Sequence, residues 1–342
     1  MDYIDIYTLL GYGDRARLSI GDHDHGLHAD GQISICNFMS KHLDMKYKQD
    51  AFPEEVMAPL PAGETYAAPN GSVLDLPGTT TVHRLICSKV ESAVKNRRQH
   101  SEAEIRDFLL KSLDLAGETI PVPEYRSLRH KPLASGSKES VWSRFGLETE
   151  PEMTATLLWR TKNICYVPPV IDAANGGEVE LYFPHQDSAA ELDARPVPEK
   201  GELFAVDYRG IGENMPTTCK HIAGYHFFSH YHFDYHYAAL GLLCGRSYLG
   251  CRVRDGISAL KFVKSRGAGK IIVSASGIGR IPALLTAFLT PEIEVELRFD
   301  RPLKDAYYYA LCKDAPMPQS MVIPGLLNVS DFSELEDIIK NR

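Results

Sequence analysis

Lys270-Ile-Ile-Val-Ser-Ala-Ser-Gly-Ile-Gly279, followed by Ile281-Pro-Ala-Leu-Leu-Thr-Ala-Phe288, is the stretch on which the fold turns. Its first half is an apolar, β-branched run of buried-strand length, and its second half reads as a helix. Such a strand–turn–helix is where a G-x-S-x-G elbow carries a nucleophile, because small flanking residues let strained backbone approach its neighbours. The run here is Ala275-Ser276-Gly277-Ile278-Gly279, and counting back from Gly279 puts the nucleophile's place on Gly277, which has no side chain. Ser276 lies one residue early, and on a strand a one-residue slip points a side chain to the other face. Two readings stay open. Ser276 is a displaced nucleophile with Gly277, Ile278 and Gly279 as elbow and oxyanion backbone, or it is a polar residue on an ordinary tight turn.

Outward from this stretch, strands and helices alternate from residue 150 onward. Thr154–Arg160, Asn163–Val167, Glu178–Pro184, Leu203–Asp207 and Glu294–Phe299 read as strands, and 235–243, 250–266 and 331–339 as helices. That alternation predicts an α/β fold with a mainly parallel sheet and helices on both faces. Earlier, a helix is expected from Thr81 to Asn96, and Ser101-Glu-Ala-Glu104 is a capping box opening another. The Pro-rich segment 46–80 reads as a connector and the basic, Pro-rich 121–133 as a boundary. Ile4–Leu10 reads as a helix, Arg15–Ile20 alternates like a strand, and Gln32–Leu43 has mostly helical spacing.

The 342 residues are 44% hydrophobic and 24% charged, which excludes a disordered or fibrous chain. A net charge of −8 with scattered basic residues argues against a nucleic-acid partner. No stretch approaches the roughly 20 apolar residues of a membrane span, and no signal-peptide pattern opens the sequence. Seven cysteines without a C-x-x-C pair read as buried thiols and not as a disulfide frame.

Three further motifs carry candidate chemistry. Asp207-Tyr-Arg209-Gly210-Ile-Gly-Glu213 follows a strand as a loop over the sheet edge. Ser229-His230-Tyr-His232-Phe-Asp234-Tyr-His236 resembles the H-x-H-x-D-H signature of metallo-β-lactamase-type hydrolases, in which His and Asp side chains share zinc ions. Tyr235 breaks that spacing, and aromatic, polar residues at a helix start are the plainer reading. Asp22-His23-Asp24-His25-Gly26 lies in a loop before a helix, where His25 is a candidate general base or only a turn residue.

Taken together, the chain resembles tandem α/β-hydrolases related to acetylxylan esterases and other carbohydrate esterases. One likeness runs from Tyr7-Thr-Leu-Leu-Gly through Asp24-His25-Gly26 to Phe38-Met-Ser-Lys-His-Leu43, similar to the last strand, catalytic-His loop and closing helix of an esterase domain. The other joins Asp207–Glu213, Asp234-Tyr-His-Tyr-Ala238, Leu249–Asp255 and the elbow, and looks like the second, often degenerate domain of such tandems. The resemblance divides the chain into a strand–His-loop–helix module at 1–46, a linker and helical segment at 47–135, and a hydrolase-like core at 136–342, incomplete or permuted.

In the permuted arrangement residues 15–20 form a strand beside 294–299. The resemblance implies hydrolysis of acyl esters on polysaccharides by a Ser-His-acid mechanism, without cofactor, with acylated polysaccharide or oligosaccharide as partner and the remainder of a tandem hydrolase as a further one. Relatives of this kind are typically exported. Since only His25 maps cleanly onto the triad, the chain alone is expected to be weakly active or inactive. The competing expectations are a non-catalytic scaffold or sugar-binding module, with Tyr225, Phe227, Phe228, Tyr231 and Phe233 available to stack, and a zinc hydrolase using His230, His232, Asp234 and His236.

Overall fold

A computed structural model describes residues 3–22, 25–26, 28–46, 60–136, 140–162, 176–216, 231, 234–314 and 317–342. They fall into two units, Met1–Thr79 and Thr80–Arg342. In the first, helix α1 (Tyr3–Leu9), a 3-10 turn at Gly13–Arg15 and helix α2 (Ala29–Leu43) bury no residue. Residues 16–20 form no strand, contrary to the reading of Arg15–Ile20. Leu18 and Ile20 are 60% and 82% exposed. Alternation specifies a face for a strand but supplies no partner, and a ladder needs both.

The second unit is built on one seven-stranded sheet in the order β1-β2-β3-β5-β4-β6-β7. The strands are β1 (Tyr125–Pro132), β2 (Val141–Glu150), β3 (Met153–Thr161), β4 (Glu178–Phe183), β5 (Glu202–Asp207), β6 (Lys270–Ala275) and β7 (Val295–Phe299). β5, β4, β6 and β7 run parallel, and β1, β2 and β3 join them as an antiparallel meander paired to β5. β1 occupies the segment read as a boundary. It is an edge strand carrying Arg126, Arg129, His130 and Lys131, so it lacks the apolar pattern that marked the others. The proposed strand at Asn163–Val167 lies outside the described residues.

The helices of this unit are α3 (Val82–Asn96), α4 (Glu102–Ser112), α5 (Ser188–Glu191), α6 (Asp234–Leu243), α7 (Tyr248–Ser265), α8 (Arg280–Leu289), α9 (Ala306–Leu311) and α10 (Phe332–Lys340). Thr81 caps α3, and the Ser101–Glu104 box opens α4. Alternate strand residues feed two cores on opposite faces of the sheet. Leu157, Leu181, Phe183, Phe204 and Val206 pack with α4, α7, α8 and α10 in the larger core. Leu158, Tyr182, Leu203 and Ala205 pack with Trp142 and α5 in the smaller. Each such side chain stabilises by roughly 1.5–3 kcal/mol when fully buried, which holds the strand ends in fixed register.

Of the cysteines, Cys36, Cys87, Cys244, Cys251 and Cys312 are free thiols, none fully buried and Cys244 exposed, which corrects the expectation of buried thiols. Cys244 follows the last turn of α6 and so lies outside both cores. No described helix is long and apolar enough to cross a membrane.

Candidate functional site

Because β4, β5 and β6 are parallel, the loops after them emerge at one edge of the sheet, where open α/β folds bind their ligands. After β6 the chain turns through Ser276 and the 3-10 turn Gly277–Gly279 into α8. Gly277 has φ +50°, a left-handed conformation that strains any residue with a Cβ. A Cβ there would lie 2.3 Å from Nδ1 and 2.4 Å from Cγ of His185. The imidazole therefore fills the space into which a side chain at 277 would project.

His185 comes from the loop after β4, and its Nδ1 accepts a hydrogen bond from the Ile278 N–H at 3.2 Å. That bond assigns the ring proton to Nε2. The residue following an elbow nucleophile normally offers its N–H to an oxyanion. Here that amide is already committed. Gly279 seals the turn, since a Cβ would meet the carbonyl oxygens of Phe183 and Pro184 at 2.5 and 2.4 Å. Tyr231 stands edge-on to His185, ring centres 5.8 Å apart.

Ser276 faces the smaller-core side of the sheet. Its hydroxyl donates to Glu191 Oε2 at 2.6 Å and accepts from the His185 N–H at 3.2 Å. The Tyr182 hydroxyl lies 2.8 Å from Ser276 Oγ and 2.7 Å from Glu191 Oε2. Glu191 also accepts from the backbone N–H groups of His185 (3.0 Å), Gln186 (2.7 Å) and Asp187 (3.1 Å). Partial burial acts to raise the Glu191 carboxyl, but these donors, the Gln186 N–H foremost, outweigh it and hold the group below the ordinary range. A carboxylate so stabilised is a poor base, so the bond to Ser276 positions the loop after β4 without activating the hydroxyl. Burial pushes the Tyr182 phenol up, which keeps it neutral.

Asp207 ends β5, the central strand, and Arg209 and Gly210 follow it. Asp207 is fully buried and accepts from the Ser188 N–H at 3.2 Å and the Glu213 N–H at 2.9 Å. Burial raises its carboxyl to about 6 against these bonds. Gly212, at φ +53°, makes the room: a Cβ would lie 2.1 Å from Asp207 Oδ2. Arg209 donates from Nη2 to Asp255 Oδ1 at 2.8 Å and from its backbone N–H to Oδ2 at 2.9 Å. The Gly210 N–H closes the loop on the Asn214 carbonyl at 3.3 Å. All three groups are committed to holding the loop in place, Asp207 to α5 and the loop, Arg209 to Asp255 of α7, and Gly210 within the loop.

Asp234, the first residue of α6, is 5% exposed and pairs through Oδ1 with Arg252 Nη2 at 2.6 Å. Arg252 also donates to the Arg209 carbonyl and to Ser320 Oγ. A dication at Asp234 would face this buried guanidinium at close range, so the carboxylate does not suit zinc. His236 lies on α6, His230 and His232 lie outside the described residues, and no metal-binding group occurs among the described residues. Tyr225, Phe227, Phe228 and Phe233 are likewise outside them. His25 is exposed in the bend before α2 and belongs to the first unit, whereas Ser276 belongs to the second.

Tyr182, His185 and Glu191 are not among the candidates that the sequence motifs single out. The available signal was a histidine directly after the Pro-terminated strand β4, whose loop emerges beside the elbow.

No protein-family profile matches the chain, and no curated protein matches it. Among solved structures, the fold is similar to that of an inferred acetyl xylan esterase from Bacteroides fragilis NCTC 9343, with TM-score 0.55 and 14% identity over 79% of this chain and 76% of that one. Acetyl xylan esterases from Paenibacillus sp. R4 (TM-score 0.36, 15% identity) and Thermoanaerobacterium sp. JW/SL YS485 (TM-score 0.30, 12%) each align over 60% of this chain and 61% of theirs, too distantly to add to the argument. The second unit, a mostly parallel seven-stranded sheet with helices, has an α/β-hydrolase-like fold similar to that of the first of these structures.

Proposed function

We propose that this chain is an esterase-fold protein that binds an acylated oligosaccharide or polysaccharide without hydrolysing it. The observation that carries this reading is the His185 imidazole, seated where a side chain at Gly277 would project and bonded to the Ile278 N–H. A Ser-His-acid mechanism needs a nucleophile at that point, an imidazole accepting its proton, and a free amide for the oxyanion. Gly277 supplies no nucleophile, His185 faces an amide and not a hydroxyl, and Ile278 N–H is occupied. Loss of the nucleophile alone removes about 10⁶ in rate in a well-studied serine protease.

The similarity to an inferred acetyl xylan esterase supports this choice of ligand class. What remains at the sheet edge supports it too. The Nε2–H of His185 is a polar donor beside the Tyr231 ring, and sugars are commonly held by one such donor and one aromatic face.

Isothermal titration with an acetylated xylo-oligosaccharide, followed by mass analysis of the recovered ligand, tests both halves of the reading. The expected result is saturable binding, weakened in His185→Ala, with every acetyl group intact. Acetate accumulating during the titration would overturn the non-hydrolytic half. Absence of binding would overturn the ligand class.

A further inference from the structure

The sheet ends in two unlike edges. β1 is defended against pairing: its register shifts between Leu128 and Lys131, it ends on Pro132, and Arg126, Arg129 and Lys131 give it one sign of charge. A second β1 laid against it would bring like charges together. β7 has none of these devices. Val295-Glu-Leu-Arg-Phe299 pairs with β6 in unbroken register, contains no proline, and has no strand on its other side among the described residues.

The side chains of β7 complement themselves. In an antiparallel pairing about a two-fold axis at Leu297, Glu296 of each copy stands opposite Arg298 of the other, and Val295 opposite Phe299. Directly opposed side chains have Cβ atoms about 4.5–5.5 Å apart, within reach of an ion pair. Glu296 and Arg298 are 44% and 51% exposed and pair with each other at 2.9 Å within the single chain, a contact that the pairing between copies would share or replace. They also extend a row of alternating charge that crosses the sheet. Lys270 of β6 lies 3.2 Å from Glu178 of β4 and 2.8 Å from Glu296. The Arg298 of a second copy supplies the next positive member of that row. A cleft of about 460 Å³ adjoins the strand, with Val295, Leu297 and Ile339 lining it beside the charged Glu294, Glu296 and Lys340.

We propose that β7 is the docking edge for a second copy of this chain, the two sheets joining antiparallel through Glu296–Arg298 pairs into one continuous sheet. This assembly does not depend on whether the elbow is catalytic, and its test is separate from the ligand assay. Sedimentation equilibrium of the full chain is expected to give a concentration-dependent dimer. Arg298→Glu or Glu296→Arg alone places like charges opposite each other at two symmetric points, and each should weaken association by about tenfold. The double exchange, E296R with R298E, restores opposite charges across the two-fold axis while setting a guanidinium at position 296 beside Lys270, and should recover part of the dimer. Hydrogen exchange on the unaltered chain gives a second, variant-free readout: amides of 295–299 should gain protection as protein concentration rises. A chain monomeric at every concentration, a dimer insensitive to both single exchanges, or β7 amides whose protection ignores concentration would each overturn the proposal.

Discussion

The turns after β6 and β5 meet the same edge of the sheet, and each is organised around a polar group at a tight glycine. Their logic is opposite. After β5, Gly212 lacks a Cβ so that the strand's own carboxylate, Asp207, folds back and ties down the loop. After β6, Gly277 lacks a Cβ so that a side chain from another loop, His185, enters the elbow. The first turn is closed by a residue of its own strand, the second by a residue about 90 positions earlier in the chain. In the proposed reading, an elbow closed from outside lacks the space in which a nucleophile at 277 would act. Ser276 and Glu191 then hold the loop after β4 in place, and through it His185.

Four experiments break or sharpen this contrast. The largest effect belongs to Asp207. Its carboxyl is raised from 3.8 to about 6 by burial, so ionisation disfavours the folded state and the group's contribution is fully present only below pH 4. Relative to Asp207→Asn, the native chain should lose up to about 3 kcal/mol between pH 4 and pH 8, read by urea unfolding across that range. A flat difference would mean that the two N–H bonds already compensate the burial.

Glu191→Ala comes next. It removes the acceptor of the Gln186 and Asp187 N–H groups and of the Ser276 hydroxyl, while Tyr182 and the His185 N–H keep Ser276 Oγ and water reaches this exposed residue. A loss of about 2 kcal/mol is expected, with Glu191→Gln recovering part of it. Gly277→Ala should cost about 1.5 kcal/mol through its positive φ and the imidazole in its way. Combining it with His185→Ala should recover part of that loss, so a thermal-melt double-mutant cycle with no coupling would separate His185 from the elbow. Ser276→Ala is the mildest, at about 1 kcal/mol, because one hydroxyl leaves the network while Tyr182 stays bonded to Glu191.

The parallel half of the sheet was legible because β4, β5 and β6 are covered on both faces and read as unbroken apolar runs. β1 was not, because an edge strand carries its charges outward and mimics a basic linker. Residues 15–20 misled in the other direction, since a strand-like alternation has no ladder to join. At the site, the elbow's position and the missing side chain at Gly277 lie in the local sequence. The plug does not: the bonds from His185 and Glu191 to the elbow span 93 and 85 residues, and no spacing rule reaches that far. Arg252 and Asp234 are similar, an ion pair that reads locally as a metal motif on one side and an ordinary helix on the other.

The central claim is that the elbow is occupied and its serine is structural. The most direct test is the rate of p-nitrophenyl acetate hydrolysis by the purified chain, with Ser276→Ala and His25→Ala measured beside it. The account predicts that all three proteins run at the buffer rate. Turnover in the native chain that disappears in Ser276→Ala would contradict it and make Ser276 a nucleophile after all.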